Sequence, residues 1–405
     1  MTRIAKLVSN AASTSSQYLN KHVLNFMVLY YILFTLYNVI STVMYTGFSR
    51  LTYLNIPNLY FAIRIIIFVI FFFHILTLKL RVQTYLVCIF VVSCTVVSTL
   101  VSGSWNVLLL LLFLLCGKDV NIKILSKCIL WSNITIMTFT AIANEKGIIT
   151  SSIGMTIDGA IKVTYGFNHR NSLGMCILTT CCAYAVLRFR DFKIYDIIVY
   201  GFAFYICDAL ISSRTAAVII LLIAISSLVI SVKQNRTVDS LVIITGLILF
   251  ILAVLFSIWI MVYYNSSIPW MAQFNTFMSG RLELANYYYE TYHIHLFGYD
   301  FSSMQQSYKD YETFICDNAY NHVILQSGIV VFAIIIIGYG YILLSSFIYK
   351  CLTPCVYGLI IFAVVSFSES SGLFISNNFC LVSLVAPLLG INIKEYLECD
   401  MRKLR

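Results

Sequence analysis

Arg170, Arg214 and Arg281 are the residues whose type and setting most directly suggest chemistry. Arg170 stands in GFNHRNSLG just ahead of an apolar run, Arg214 in SSRTAA opens another, and Arg281 lies in a long polar segment. A helix start offers unbonded N–H groups and partial positive charge. Arginine adds planar, bidentate donors. Three such groups on one face would suit a lipid-linked phosphate. Snorkelling toward lipid headgroups accounts for any one of them equally well. Arginine in hydrocarbon costs on the order of 3 kcal/mol, which argues against idle placement of all three.

The acid–base candidates lie close by in sequence. Asp317, Asn318, Tyr320 and His322 form a polar cluster where an apolar run resumes. A carboxylate at that depth has its pKa raised by desolvation, which suits a general base. Helix capping by Asp317, with Asn318 bonded locally, explains the same residues as well. Glu283 and His322 are the alternative bases, although His322 also fits a packed interior histidine. Asn171 and Ser172 read as a helix start with one of them as cap, and Gly166 and Gly174 permit close backbone approach. Capping does not explain why His169 and Arg170 stand beside them. Tyr288 and Tyr292 belong to a tyrosine-rich stretch whose ring faces could bind sugars. An interfacial aromatic belt is the plainer account of most of those tyrosines. Glu369, in SFSESSG, has no role assignable from sequence. No GxSxG, HExxH, P-loop or GxGxxG context is present, and no Cys/His cluster has zinc spacing.

These residues sit on an apolar scaffold. The chain has 405 residues, 60% hydrophobic and 11% charged, with a mean hydropathy of +0.90. Soluble domains carry roughly 25% charged residues, so this is an integral membrane protein. The polar N-terminal stretch precedes a full-length apolar run, so no cleavable signal peptide is evident. Apolar runs near 24–46, 57–77, 84–102, 104–116, 125–144, 171–187, 194–211, 214–232, 240–262, 319–348, 354–369 and 373–391 give about twelve transmembrane helices. The fourth run is short and the tenth long, so eleven or thirteen also fit. In lipid the backbone must bond internally, which dictates helices. The predicted class is all-α, a polytopic membrane protein forming a single membrane domain over 1–405.

Lysine and arginine placement sets orientation. With the N-terminus cytoplasmic, 18 of the 26 basic residues fall in cytoplasmic segments and both termini are cytoplasmic. Topology therefore explains the net charge of +9, and nucleic-acid binding is not needed. Most of the 13 cysteines lie in apolar runs, where they act as small hydrophobes. Two extracytoplasmic loops, 145–170 and 263–318, exceed ordinary connection length and form the expected active-site face. The second has a helical pattern: Ser279 as N-cap, Glu283 in the first turn, and Arg281, Leu284, Tyr288 and Tyr292 at helical spacing.

Four motifs in order, YGFNHRNSLG, SSRTA, SGRLELA…LFGYDF and DNAYNHVILQSGIV, resemble the bacterial O-antigen polymerase (Wzy-type) and O-antigen ligase superfamily. The resemblance covers roughly 165–330; the earlier spans match only in character. It implies a metal-independent glycosyltransferase of the bacterial cytoplasmic (inner) membrane, with no cofactor. The implied donor is an undecaprenyl-pyrophosphate-linked glycan, transferred onto a new lipid-linked repeat unit to build O-antigen, capsule or exopolysaccharide. Implied partners are the lipid-linked oligosaccharide, membrane lipids and a chain-length regulator protein. Ligases typically carry a catalytic histidine followed by Asn before the re-entering helix; here that position reads Asp317-Asn318, which favours a polymerase. On this reading Arg170, Arg214 and Arg281 hold the pyrophosphate, and Asp317, Glu283 or His322 is the base. His169, Asn171, Tyr288, Tyr292, Asn318 and Tyr320 contact glycan. A ligase remains the alternative within the family, and a flippase for lipid-linked oligosaccharide the alternative outside it. Flippases usually show related halves, which this chain lacks.

Overall fold

The computed structural model describes residues 25–151, 153–155, 161–303 and 314–402. Among them, seven helices are long and apolar enough to cross a membrane: α1 (Asn25–Val43), α2 (Ile56–Thr77), α3 (Val82–Ser102), α5 (Ile122–Glu145), α8 (Arg214–Val232), α9 (Arg236–Tyr263) and a two-part span, Ala319–Tyr349. The chain is therefore helical and polytopic. The other five apolar runs take different forms. Run 104–116 holds the ten-residue α4 (Asn106–Leu115), and 171–187 the 18-residue α6 (Arg170–Leu187). Run 194–211 becomes the 12-residue α7 (Ile194–Tyr205), closed by a π turn at Ile206–Leu210. Run 354–369 becomes the 15-residue α14 (Pro354–Ser368), and 373–391 breaks into a 3-10 segment (Phe379–Leu384) and the short α15 (Val385–Leu388). The helix α16 (Ile393–Arg402) follows.

Packing, not hydrophobicity, sorts these helices. Every residue of α4 from Val107 to Leu115 is buried, whereas α2 buries only Ile56, Ile67 and Phe71. A helix apolar on all sides is either a core helix or a lipid-facing one; α4 is the first and α2 the second. Helix α6 approaches its neighbours through small residues (Gly174, Cys181, Cys182, Ala183, Ala185), all buried. Small side chains let helix backbones come close, which is how helices associate in lipid. The twelve described cysteines are unbridged, Cys316 included.

The tenth run is two helices. Helix α12 (Ala319–Gln326) ends at Ser327, and α13 (Gly328–Tyr349) begins at a glycine with φ of 87°. The preceding segment is laced to this break: Ile329 N–H donates to the His295 carbonyl at 3.0 Å and Tyr299 N–H to Gln326 at 3.2 Å. A side chain on Gly298 would collide with the Gln326 carbonyl, and one on Gly328 with the backbone of Gly298 and Leu296. Two glycines make the close crossing possible.

The ends of α1, α3, α9 and α14 meet the starts of α6, α12 and α13 on one face, here called the loop face. Asn168 donates to the Met44 carbonyl at 3.3 Å, and Ser98 to Ser327 at 2.8 Å. Segment 263–318 lies there. Within it α10 (Pro269–Phe277) opens on proline, suited to a helix start, and α11 (Arg281–Tyr292) follows. Segment 145–170 carries a small antiparallel hairpin, β1 (Ile153–Met155) on β2 (Ile161–Val163), with Ile153 opposite Val163. Lys309, Tyr308 and Tyr311, together with the basic residues Arg3, Lys6, Lys21, Lys403 and Arg405, lie outside the described residues.

Candidate functional site

Arg281 is the hub of the loop face. As the first residue of α11 it directs its guanidinium at three acceptors. Nε meets Asp317 Oδ2 at 2.8 Å, Nη2 stands 3.6 Å from Glu369 Oε1, and Nη1 donates to the Ser368 carbonyl. These partners arrive from different directions: Asp317 precedes α12, while Ser368 and Glu369 end α14. Helix α11 is held in register by Asn286, whose amide donates to the Met261 carbonyl at 2.9 Å.

The two carboxylates differ. The Asp317 side chain is 30% exposed and that of Glu369 only 10%. Burial pushes the Glu369 carboxyl up to about 8, with Arg281 pulling it down and Asp317 adding to the rise. One guanidinium thus serves two acids, and the more deeply placed acid retains its proton at neutral pH. Cys316, just before Asp317, is also buried, which raises its thiol pKa.

His169 belongs to the same cluster. Partial desolvation lowers its pKa, assisted by Arg170 and Arg281 and opposed by Asp317. Its backbone geometry overturns one expectation: His169, rather than Asn171 or Ser172, caps α6, its Nδ1 accepting the Asn171 N–H at 3.2 Å. Arg170 is then the first residue of α6. Arg214 is likewise the first residue of α8, directly after Ser213, which packs so tightly on Gly174 that a side chain there would collide with its hydroxyl. The starts of α6 and α8 are therefore neighbours. Neither Arg170 nor Arg214 has an ion-pair partner among the described residues. Arg281 differs from them, being already paired to carboxylates.

Several expected site residues serve other ends. Gly280, with φ of 83°, caps α11 in place of Ser279, and its side-chain-free geometry leaves the cap to the backbone. Glu283 takes an amide hydrogen bond from Asn275 at 3.3 Å, joining α10 to α11. Asn318, not Asp317, caps α12: its carbonyl oxygen accepts from Tyr320 N–H at 2.9 Å and Asn321 N–H at 3.1 Å. Its amide nitrogen donates to Ser257 at 2.7 Å and to the Phe367 carbonyl at 2.9 Å, so every polar atom of that side chain is occupied. Freed from capping, Asp317 is available to Arg281.

Tyr288 and Tyr320 are core residues rather than sugar platforms. Tyr288 is buried among Phe301 and Phe314 and its hydroxyl accepts the Ile315 N–H at 3.2 Å. Tyr320 is buried, donating to the Ala363 carbonyl at 2.8 Å. Tyr292 is half-buried against Tyr299 and Phe301. His322 bonds Gln326 at 2.8 Å and packs on Phe314 and Phe374, as a packed histidine should.

Glu369 is the site residue that sequence reading left unassigned. The available signal was a lone carboxylate ending an apolar run with no nearby basic residue, which must find a distant cation or stay protonated. Among the described residues no three His, Cys, Asp or Glu side chains are grouped as metal ligands. No family model matches the chain, and comparison with curated proteins and with solved structures gave no match.

Proposed function

We propose that the protein is an oligosaccharide repeat unit polymerase of the bacterial cytoplasmic membrane. It transfers an undecaprenyl-pyrophosphate-linked glycan onto a new lipid-linked repeat unit at the outer face. The observation that carries this reading is the convergence of Arg281, Asp317, Glu369 and His169 beside the arginine-bearing starts of α6 and α8. On this reading the loop face is extracytoplasmic, both termini are cytoplasmic, and the shorter apolar helices complete a set of about twelve spans.

The roles divide by availability. Arg170 and Arg214, unpaired and at helix starts, bind the donor pyrophosphate and stabilise its charge as it leaves. Asp317, the more exposed acid, takes the proton of the acceptor hydroxyl. The hydroxyl oxygen bonds to the anomeric carbon as that carbon's bond to the pyrophosphate breaks, and undecaprenyl pyrophosphate departs with the electron pair. Arg281 orients the acids, and Glu369 behind it sets the local charge. The transfer needs no metal or cofactor on this account.

A double variant, Arg170→Ala with Arg214→Ala, tests the clamp in cells lacking the native gene. The glycan ladder should collapse to single repeat units that still reach the surface. Unchanged polymer length refutes the clamp, a ladder that survives deletion of the gene refutes the polymerase, and loss of even the single unit points to a flippase instead.

A further inference from the structure

A second polar site lies at the other end of α12. A cavity of about 190 Å³ opens between α2, the α3–α4 turn, the segment after α11 and the end of α12, lined by Arg64, Trp105, Asn106, Asp300, Ser302 and Gln326 among others. Arg64 is the one arginine or lysine in the 22 residues of α2, two turns into an apolar span. Its guanidinium lies 3.7 Å from the Tyr60 ring centroid, its buried Nε has no hydrogen-bond partner, and no carboxylate among the described residues pairs with it. An intramembrane arginine with no carboxylate counter-ion is costly and marks a functional position by default.

The rest of the wall is built. Asp300 Oδ1 is fixed by the Ser302 N–H at 2.9 Å and the Ser302 hydroxyl at 2.6 Å. It faces Gly103, whose missing side chain leaves the space open. Helix α4 starts there without a side-chain cap, so its first N–H groups remain to be met. The Trp105 ring is held edge-on between Phe61 and Phe68. The Gln326 carbonyl oxygen is held by His322, which orients the amide.

We infer that this cavity is a saccharide subsite that takes one sugar ring of a glycan, separate from the Arg281 cluster. The size fits: at about 30 Å³ per water the volume equals roughly six waters, the scale of one ring rather than a lipid or peptide. The chemistry fits as well. Guanidinium and helix N–H groups donate, the Asp300 carboxylate accepts, Asn106 and Gln326 do both, and an indole supplies an apolar wall. A ring of hydroxyls satisfies all of these together. A phosphate would meet the charge of Asp300, and a cation that of Arg64. Helix α12 spans eight residues, so about 12 Å separates this subsite from Asp317. The identity of the glycan as lipid-linked substrate rests on the polymerase reading; the binding of a sugar here does not.

The test uses the purified full-length protein in nanodiscs and saturation-transfer NMR. The probes are methyl hexopyranoside, N-acetylhexosamine and hexuronate, with inorganic phosphate as the anion control. At least one sugar should receive saturation, and Asp300→Asn, Trp105→Phe and Arg64→Met should each abolish it, while the core substitution Tyr320→Phe leaves it intact. Should Arg64→Met fail to fold, the near-isosteric Asp300→Asn decides alone. No transfer to any sugar, transfer indifferent to Asp300, or Arg64-dependent binding of phosphate alone overturns the subsite. If sugar binding persists while deleting the gene leaves the glycan ladder unchanged, the polymerase reading fails and the subsite stands; a ladder lost with the gene and no sugar binding removes the subsite only.

Discussion

Among the described residues two arginines each bridge a pair of acids, and they do opposite things. On the face away from the loops, Arg188 ends the α6 region and binds Asp191 at 2.5 Å and Asp196 at 3.2 Å. Asp196 is fully buried, and it also accepts the Lys193 N–H at 2.6 Å and the Tyr184 hydroxyl. All of these residues lie within one short stretch of chain. Nearby, Arg190 pairs with Asp239 at 2.5 Å and ties α6 to α9. Asp191 and Asp196 are met by donors close in sequence, so the Arg188 group acts as a staple for a helix turn. On the loop face, Arg281 draws its acids from distant segments and leaves one partly exposed, while burial keeps the other protonated against the pull of the guanidinium. An ion pair saturated by local donors is structural. One assembled from afar, and left short of positive charge, is available to a ligand.

The comparison is broken most sharply by Arg281→Ala. Losing the guanidinium that orients the general base forfeits on the order of 100-fold in rate, so polymer on glycan gels should disappear. Stability should change little, because Glu369 stays neutral without its partner; a variant that aggregates on gel filtration would make Arg281 a staple like Arg188.

Asp196→Ala should behave conversely. Breaking a buried ion pair costs about 3 kcal/mol, seen as a large drop in the thermal midpoint in detergent. Polymer made per folded molecule should be preserved, and a selective loss of polymer at full stability would erase the distinction between the two faces.

Glu369→Gln sharpens the contrast through pH. The native carboxyl sits at about 8 against an ordinary value of 4.5. Between those values the unfolded chain loses a proton that the folded chain keeps. Stability therefore falls as pH rises from about 4.5 to about 8, by at most ~1.4 kcal/mol per pH unit, and is flat outside that window. The glutamine variant should lack this slope in denaturant titrations; an identical slope in both proteins would assign it elsewhere.

The smallest effect is expected from Tyr320→Phe. Deleting the hydroxyl that donates to Ala363 should cost about 1 kcal/mol, the net worth of one hydrogen bond. The glycan ladder should be unchanged, and a shortened ladder would return Tyr320 to the substrate path.

Much of this was legible in the sequence, and what was not has identifiable causes. Seven spans follow from composition because hydrocarbon admits only long apolar helices. Helix α11 followed from its spacing, although its cap moved from Ser279 to Gly280. The break at Ser327–Gly328 was hidden because one glycine in an apolar run does not by itself stop a helix. The cap by His169 was hidden because Asn171 and Ser172 are better capping types; the backbone chose the earlier residue. The partnership of Arg281 with Glu369 depends on how α11 and α14 both pack against α9, which no local pattern encodes. Tyr288 and Tyr320, expected to contact glycan, are core residues instead, because tyrosine suits an interface and a core equally well.

The crossing of Gly298 over Gly328 has a mechanical result. Because neither position tolerates a methyl group, the backbone after α11 is riveted to the head of α13 and cannot slide along it. Asp300 thereby inherits the stillness of a long helix although it sits in a connecting segment. Amide protons at Tyr299, Ile329 and Val330 should exchange together, as a single slow unit, with the helix that carries them.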